Sequence, residues 1–123
     1  MSFPAILVLE DGSIFDGVGF GIEKFEIGEI VFNTSMTGYQ EIITDPSYKK
    51  QIITFTHPHI GNTGTNDEDM ESSKVHASGI VVNEFSENPS SWRSTLSLEE
   101  FLIKENVIAI SGIDTRKLTN HLR

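Results

Sequence analysis

Two short, unbroken runs of branched and aromatic residues limit the folds open to this chain more than any other feature. One run covers residues 30–32 (Ile-Val-Phe) and the other covers residues 80–82 (Ile-Val-Val). A strand with one wet face alternates apolar and polar residues, whereas an unbroken run is typical of a buried strand. The sequence therefore predicts buried strands at both places, and at residues 80–82 a strand that is covered on both faces.

Helix signals follow in the last third of the chain. Ser97 and Glu100 form a capping box in front of an apolar helix face, which predicts a helix from residue 98 to about residue 105. Asp114 is the predicted cap of a last helix. Because helix, strand and helix succeed one another, the sequence indicates an α/β arrangement, and 123 residues suit one domain. Strands are predicted at residues 5–9, 13–20, 29–33, 51–56, 75–83 and 107–110, and a helical turn at residues 39–43.

Glycines lie between the first two predicted strands and along the second one. Asp-Gly at residues 11–12 lies between two strand-like runs and predicts a β-hairpin. Gly17, Gly19 and Gly21 follow at alternate positions. Their spacing differs from the dinucleotide-binding fingerprint, and no helix signal follows them. A bulged or loosely packed strand end is therefore favoured over a phosphate-binding loop.

Two connections carry few apolar residues. Residues 45–48 (Asp-Pro-Ser-Tyr) contain a proline, which pushes the preceding residue out of the helical region. An ordered, non-helical loop is predicted there. Residues 57–74 form a long polar connection, and loops of that length are usually functional or mobile.

Charge and cysteine content exclude several functions. The chain has 18 acidic and 9 basic residues, so its charge of −9 would repel a polyphosphate backbone, and nucleic acid is a poor partner. The absence of cysteine excludes a disulfide scaffold, a thiolate metal site and a cysteine nucleophile within this chain. The apolar run at residues 5–9 is too short to span a bilayer and has no basic residue before it. A cytoplasmic chain without membrane contact is predicted.

Two histidines are the only candidate start of a metal site that the sequence offers. His57 and His59 would lie on the same side of an extended segment, but a third ligand at a suitable spacing is not evident. Ordinary hydrogen-bonded histidines are favoured, and no metal is predicted. The acidic residues 67–71 lack the pattern of a calcium loop and indicate a solvated or partner-facing surface. None of the serines lies in a G-x-S-x-G elbow, so a serine hydrolase is disfavoured.

Several long motifs resemble the small, glutamine-hydrolysing chain of carbamoyl-phosphate synthase. They follow one another in register and cover nearly the whole chain from Ala5 onward. The motifs are LEDG at residues 9–12, GEIVFNTSMTGYQEI at 28–42, TDPSY at 44–48, PHIGN at 58–62, GTN at 64–66 and GIDTRKLT at 112–119.

The resemblance implies the N-terminal domain of a two-domain small chain. In that family the domain is a three-layer β/β/α fold of the swivelling-domain type. Residues 1–123 would form this domain, cut short at its C-terminal end, and the amidotransferase domain of the family would be absent. That second domain cleaves glutamine to ammonia with a Cys-His-Glu set. The large chain combines the ammonia with bicarbonate and ATP, using Mg, to make carbamoyl phosphate for arginine and pyrimidine synthesis.

The resemblance also implies particular partners and one contact residue. The partners are the large chain, the amidotransferase domain and glutamine, and this domain holds no cofactor of its own. The serine that matches Ser47 contacts glutamine from across the domain interface in the family, although Ser47 could instead be a turn residue that caps its own backbone. No catalytic residue is expected here. Candidates for docking surfaces are Thr34, Met36, Thr37, Tyr39, Gly61, Asn62 and Asn66.

An alternative function remains open at this stage. The chain could be an independent interaction or regulatory module that kept the fold and lost the chemistry. If an edge strand of the family's domain is missing, apolar surface is exposed, which predicts self-association or marginal stability.

Overall fold

The described part of the chain forms one mixed sheet with three helices in a computed structural model. The structure describes residues 2–35, 39–60, 75–85 and 98–122. This arrangement confirms the predicted α/β class. The strands are β1 (Phe3–Val8), β2 (Ile14–Gly21), β3 (Glu29–Asn33), β4 (Gln51–Ile60), β5 (Gly79–Phe85) and β6 (Ile108–Ser111), and the helices are α1 (Tyr39–Thr44), α2 (Leu98–Lys104) and α3 (Thr115–Leu122).

The six strands lie in the order β1-β2-β6-β5-β4-β3. The pairs β1/β2 and β2/β6 are antiparallel, while β6, β5, β4 and β3 run parallel to one another. Ile80, Val81 and Val82 of β5 are each at most 1% exposed, and Val81 faces a different apolar cluster from the other two. The predicted strand with two covered faces is thus confirmed. Phe32 is 36% exposed because β3 is an edge strand, so residues 30–32 are less buried than predicted.

The predicted hairpin between the first two strands is confirmed. Gly12 has a φ of +90°, a conformation that glycine adopts without steric cost. The backbone N–H of Leu9 donates to the carbonyl of Ser13 over 2.9 Å, and the side chain of Asp11 accepts the N–H of Ser13 over 2.9 Å. The Asp-Gly pair therefore closes the turn as its residue types require.

The glycines of β2 have a different role from the predicted one. Pairing of β2 with β1 and β6 is regular over the described registers, so the prediction of a bulged or loosely packed strand end is wrong. A Cβ at Gly19 would overlap the ring of Phe3, and one at Gly17 would overlap the carbonyl oxygen of Ser111. Glycine is needed at these positions because neighbouring atoms occupy the place of a side chain.

Two strand boundaries also differ from the sequence prediction. β4 continues to Ile60, so the first part of the predicted polar connection is strand. β5 starts at Gly79, four residues after the predicted start. The backbone N–H groups of Val75 and His76 instead bond to the side chain of Glu105 and the carbonyl of Ile43. Val75 and His76 therefore bond to α1 and to the residue that follows α2, and they do not extend the sheet.

Helices α1 and α2 cover one face of the sheet. Ile43 of α1 and Leu102 of α2 are each 0% exposed and share a cluster with Ile53 and Phe55 of β4. Removal of these apolar side chains from water is the main favourable contribution to folding. The same cluster contains Phe20, Tyr39, Ala77, Ile80, Val82, Phe101, Val107 and Ala109.

The β1–β2 hairpin and α3 cover the opposite face. Ala5 and Leu7 of β1 pack in one cluster with Ile52 of β4, although three strands separate β1 from β4 in the sheet. The sheet must therefore curl, and the hairpin forms a second β layer over the parallel strands. Leu118 of α3 is 0% exposed on this side. Two β layers and a helical layer agree with the expected β/β/α order, with α3 added beside the hairpin.

Apolar surface remains exposed on the outward side of the hairpin. Ile6, Val8 and Ile14 are each more than half exposed, and Val18 is 48% exposed. Self-association and marginal stability, which were predicted for a missing edge strand, stay predictions. None of the helices in the described ranges is long and apolar enough to cross a bilayer.

His121 ties the end of α3 to the hairpin turn. Its Nε2 lies 2.8 Å from Oδ2 of Asp11 and 3.1 Å from Oγ of Ser13, and its ring meets Phe15 edge-on. A catalytic triad places the acid and the serine on different ring nitrogens, whereas both partners meet the same nitrogen here. The cluster is therefore a surface clamp between α3 and the hairpin.

This clamp predicts a dependence of stability on pH. The hydrogen bond from the Ser13 backbone, followed by that with His121, lowers the pKa of Asp11 from 3.8 to about 2. A carboxylate with a lowered folded pKa stabilises the fold above its unfolded pKa and loses that contribution as pH falls through the folded value. We expect Asp11→Asn to be less stable than the unmodified chain above about pH 4 and equally stable below about pH 2.

Chemical denaturation at a series of pH values measures this difference. Asp16→Asn removes an exposed carboxylate from the same hairpin and is the matched control. A stability difference between Asp11→Asn and the unmodified chain that stays constant from about pH 5 to about pH 2 contradicts the clamp.

Candidate functional site

The segment between α1 and β4 forms an exposed corner, the Ser47 corner, made of residues 45–48. Asp45 has φ −70° and ψ 122°, so the chain leaves the helical region before Pro46, as predicted. Pro46–Tyr48 then forms a single 3₁₀ turn, and the prediction of a non-helical loop is wrong here. Proline favours the first position of a helical turn because its φ is preset and its missing N–H has no partner to lose.

Asp45 caps this turn. Its Oδ1 accepts the backbone N–H of Ser47 over 2.9 Å, and its carbonyl accepts the backbone N–H of Tyr48 over 3.1 Å. The bond from the Ser47 backbone is the largest cause that lowers the pKa of Asp45, followed by the Ser47 side chain, and the charge of His76 lowers it as well. The capping bond is therefore made by the Asp45 carboxylate, which holds Ser47 at the corner.

Tyr48 connects the corner to the sheet. Its ring is half-buried and packs against the cluster beneath α1. Its hydroxyl accepts a hydrogen bond of 3.2 Å from Nδ2 of Asn33, the last residue of β3. The Asn33 Oδ1 in turn accepts the backbone N–H of Ser35 over 2.8 Å. One amide side chain thus joins the corner to the segment that follows β3.

The corner presents the hydroxyl of an exposed serine. A hydroxyl donates one hydrogen bond and accepts two, so Ser47 can contact a polar group of a ligand. The group beside it is the Asp45 carboxylate, whereas nucleophilic serines are usually paired with an imidazole. An exposed hydroxyl at a capped turn can thus bind a polar ligand, without itself serving as a nucleophile.

Two of the predicted docking residues lie in the described ranges. Thr34 is exposed directly after β3. Tyr39 is only 6% exposed and meets the ring of Phe55 edge-on, with centroids 5.2 Å apart. Burial also raises the pKa of Tyr39. The structure therefore corrects the placement of Tyr39, because its ring belongs to the core and not to a surface.

The other sequence candidates lie outside the described residues. They include the side chains of His57 and His59, although the backbone of both belongs to β4. Among the residues that the structure does describe, no group of three His, Asp or Glu side chains could hold a metal ion. The docking candidates outside the described ranges are Met36, Thr37, Gly61, Asn62 and Asn66.

Sequence reasoning missed Asn33 and Tyr48 as anchors of the corner. Both fall within motifs that carry the family resemblance, but a hydrogen bond between residues 15 positions apart leaves no periodic signal. The available signal was the polar residue that ends an apolar run, since Asn33 follows residues 30–32 directly. Asparagine at a strand end commonly bonds the backbone two residues on, as Asn33 does with Ser35.

Fold and corner together define a class: an α/β domain that presents an exposed serine at a capped surface turn. Residues 7–123 match the family model described as carbamoyl-phosphate synthase small chain, CPSase domain. The chain belongs to the carbamoyl-phosphate synthase small chain family.

Relatives from three bacteria show how much of a small chain is present. The chain is 56% identical over 123 residues to the carbamoyl phosphate synthase small chain of Xylella fastidiosa (strain 9a5c). It is 57% identical to that of Vibrio cholerae serotype O1 and 58% identical to that of Pseudomonas putida. Each match covers 100% of this chain and 33%, 32% and 32% of the respective relative. The chain therefore spans about a third of the length of these relatives.

Proposed function

We propose that this chain acts as the N-terminal domain of a carbamoyl-phosphate synthase small chain and that Ser47 contacts the glutamine held by an amidotransferase domain. The observation that carries the proposal is the exposed Ser47 corner, capped by Asp45 and anchored through Tyr48. A preorganised hydroxyl loses little conformational entropy when a ligand arrives. The family membership supplies the ligand class, and the corner supplies a surface that fits a contact from across a domain interface.

The chemistry divides between this chain and its partners. Glutamine hydrolysis adds water to the side-chain amide and releases glutamate and ammonia. In the Cys-His-Glu chemistry proposed for this family a thiolate attacks the amide, and this chain contains no cysteine. The nucleophile therefore belongs to the amidotransferase domain, and this chain contributes binding. Alone, it is expected to be inactive.

The large chain is the proposed consumer of the ammonia. The relatives are named small chains, which implies a complex with a larger subunit. That subunit would combine ammonia with bicarbonate and ATP to form carbamoyl phosphate. Thr34, which follows Asn33 on the surface, is the docking candidate that the structure describes as exposed.

A chimera tests this proposal. Residues 1–123 replace the matching third of the Vibrio cholerae small chain, and the product is assembled with the large chain of the same organism. We expect the chimera to make carbamoyl phosphate from glutamine, and residues 1–123 alone to release no ammonia from glutamine. A small chain that lacks the matching third is the control, and we expect it to lose glutamine-dependent synthesis.

One outcome would overturn the proposal. A chimera that folds and binds the large chain but makes carbamoyl phosphate only from added ammonia would show that this chain cannot complete a glutamine site. That result would favour the stand-alone interaction module considered from the sequence.

A further inference from the structure

Asn33 holds a position between two surface segments. It ends β3, and its carbonyl oxygen accepts the hydroxyl of Thr56 in β4 over 3.3 Å. Its side chain is half-buried and bonds in two directions, to the Tyr48 hydroxyl over 3.2 Å and to the Ser35 backbone over 2.8 Å. The backbone of Asn33 is thus fixed by the sheet, while its amide reaches the corner and the segment after β3.

The bonds inside the Ser47 corner fix its shape but not its location on the sheet. Ser47 and Tyr48 donate their N–H groups to Asp45, and Lys49 donates its N–H to the carbonyl of Pro46 over 3.2 Å. All of these groups lie within one short stretch of chain. The hydrogen bond from Asn33 to Tyr48 spans 15 positions and joins the corner to a sheet strand.

We propose that Asn33 is a positioning residue for the glutamine contact. Its amide holds Tyr48, and Tyr48 sets where the neighbouring Ser47 hydroxyl meets the ligand. The same amide holds the backbone of Ser35, so Ser35 and the corner keep a fixed position relative to each other. This inference rests on the proposed function, because it needs Ser47 to contact glutamine.

Loss of this bond should weaken glutamine binding without removing a catalytic group. A displacement of about 1 Å at a ligand contact is enough to cost a large part of its contribution. The loss in binding free energy cannot exceed what one neutral hydrogen bond contributes. We therefore expect the KM for glutamine to rise about three- to tenfold, with kcat nearly unchanged.

Tyr48→Phe in the chimera is the main test, because it keeps the half-buried ring and removes only the hydroxyl that accepts the bond from Asn33. We expect it to raise the KM for glutamine, and to have no further effect in a Ser47→Ala background, since it acts through Ser47. Asn33→Ala removes the Ser35 bond as well, so we expect it to raise the KM at least as much as Tyr48→Phe does. Asn33→Asp should stay near the unmodified KM, because the tyrosine hydroxyl can donate to the carboxylate and the Ser35 bond persists. Carbamoyl phosphate synthesis from added ammonia does not need the glutamine site. Its rate is measured for each variant to correct for differences in folding and assembly.

The outcomes separate this inference from the proposed function. If Ser47→Ala raises the KM but Tyr48→Phe does not, the positioning role of Asn33 is wrong and the glutamine contact stands. If Tyr48→Phe raises the KM equally with and without Ser47, its effect does not pass through Ser47 and the inference is overturned. If Ser47→Ala itself leaves the KM unchanged, the glutamine contact fails and the positioning role fails with it.

Discussion

Replacing Phe55 by alanine is expected to lower the free energy of unfolding by about 3–5 kcal/mol. Phe55 is 0% exposed and lies in β4, between its register partners Asn33 of β3 and Val82 of β5. Its ring also supports Tyr39, the first residue of α1, which leads into the Ser47 corner. The substitution removes apolar contacts and leaves a cavity that rigid strands cannot close. For a domain with a typical stability of about 5–15 kcal/mol, this loss is a large fraction of the total.

Urea denaturation of residues 1–123 measures this loss. Phe32→Ala is the matched control, because Phe32 lies on the neighbouring strand but is 36% exposed. We expect the control to cost less than about 2 kcal/mol, since less apolar surface is returned to water. Equal losses for the two variants would show that Phe55 is not at the centre of the core.

Ser47→Ala has the largest expected effect on function. Glutamine carries a charged ammonium and a charged carboxylate, and a hydrogen bond to a charged group contributes about 1.5–3 kcal/mol. In the chimera, loss of such a bond is expected to raise the KM for glutamine by about 10- to 100-fold. If the bond has the same strength in the bound substrate and in the transition state, kcat stays unchanged.

Steady-state kinetics with varied glutamine measures this effect. Ser13→Ala is the control, because Ser13 lies in the β1–β2 turn beside His121, away from the corner in the chain. We expect no change in the KM for that variant. A Ser47→Ala chimera whose KM for glutamine matches that of the unmodified chimera would exclude the contact.

Local chemistry explains which parts of the fold were predictable. The unbroken run in β5, the Asp-Gly turn and the Asp114 cap each depend on neighbouring residues alone. The backbone N–H of Lys117 does donate to Oδ1 of Asp114 over 3.0 Å, and Gly12 does have a positive φ. The glycines of β2 were misinterpreted because the Phe3 ring comes from another strand, and their spacing carries no trace of it.

Long-range contacts explain what the sequence could not predict about the site. Tyr39 lies in a motif rich in polar residues, which indicates an exposed segment. Its ring nevertheless packs on Phe55, which belongs to a strand later in the chain. The bond between Asn33 and Tyr48 depends on how α1 lies on the sheet. The proposed glutamine contact of Ser47 rests on the family resemblance, because a serine after Asp-Pro has no chemical signature of its ligand.

The most direct measurement is a crystal structure of the chimera with glutamine bound, in which serine replaces the amidotransferase cysteine so that the substrate remains intact. We expect Oγ of Ser47 to lie about 2.7–3.2 Å from a polar atom of glutamine, at the interface with the amidotransferase domain. Glutamine held entirely by the other domain, with Oγ of Ser47 more than about 5 Å away, would contradict the account.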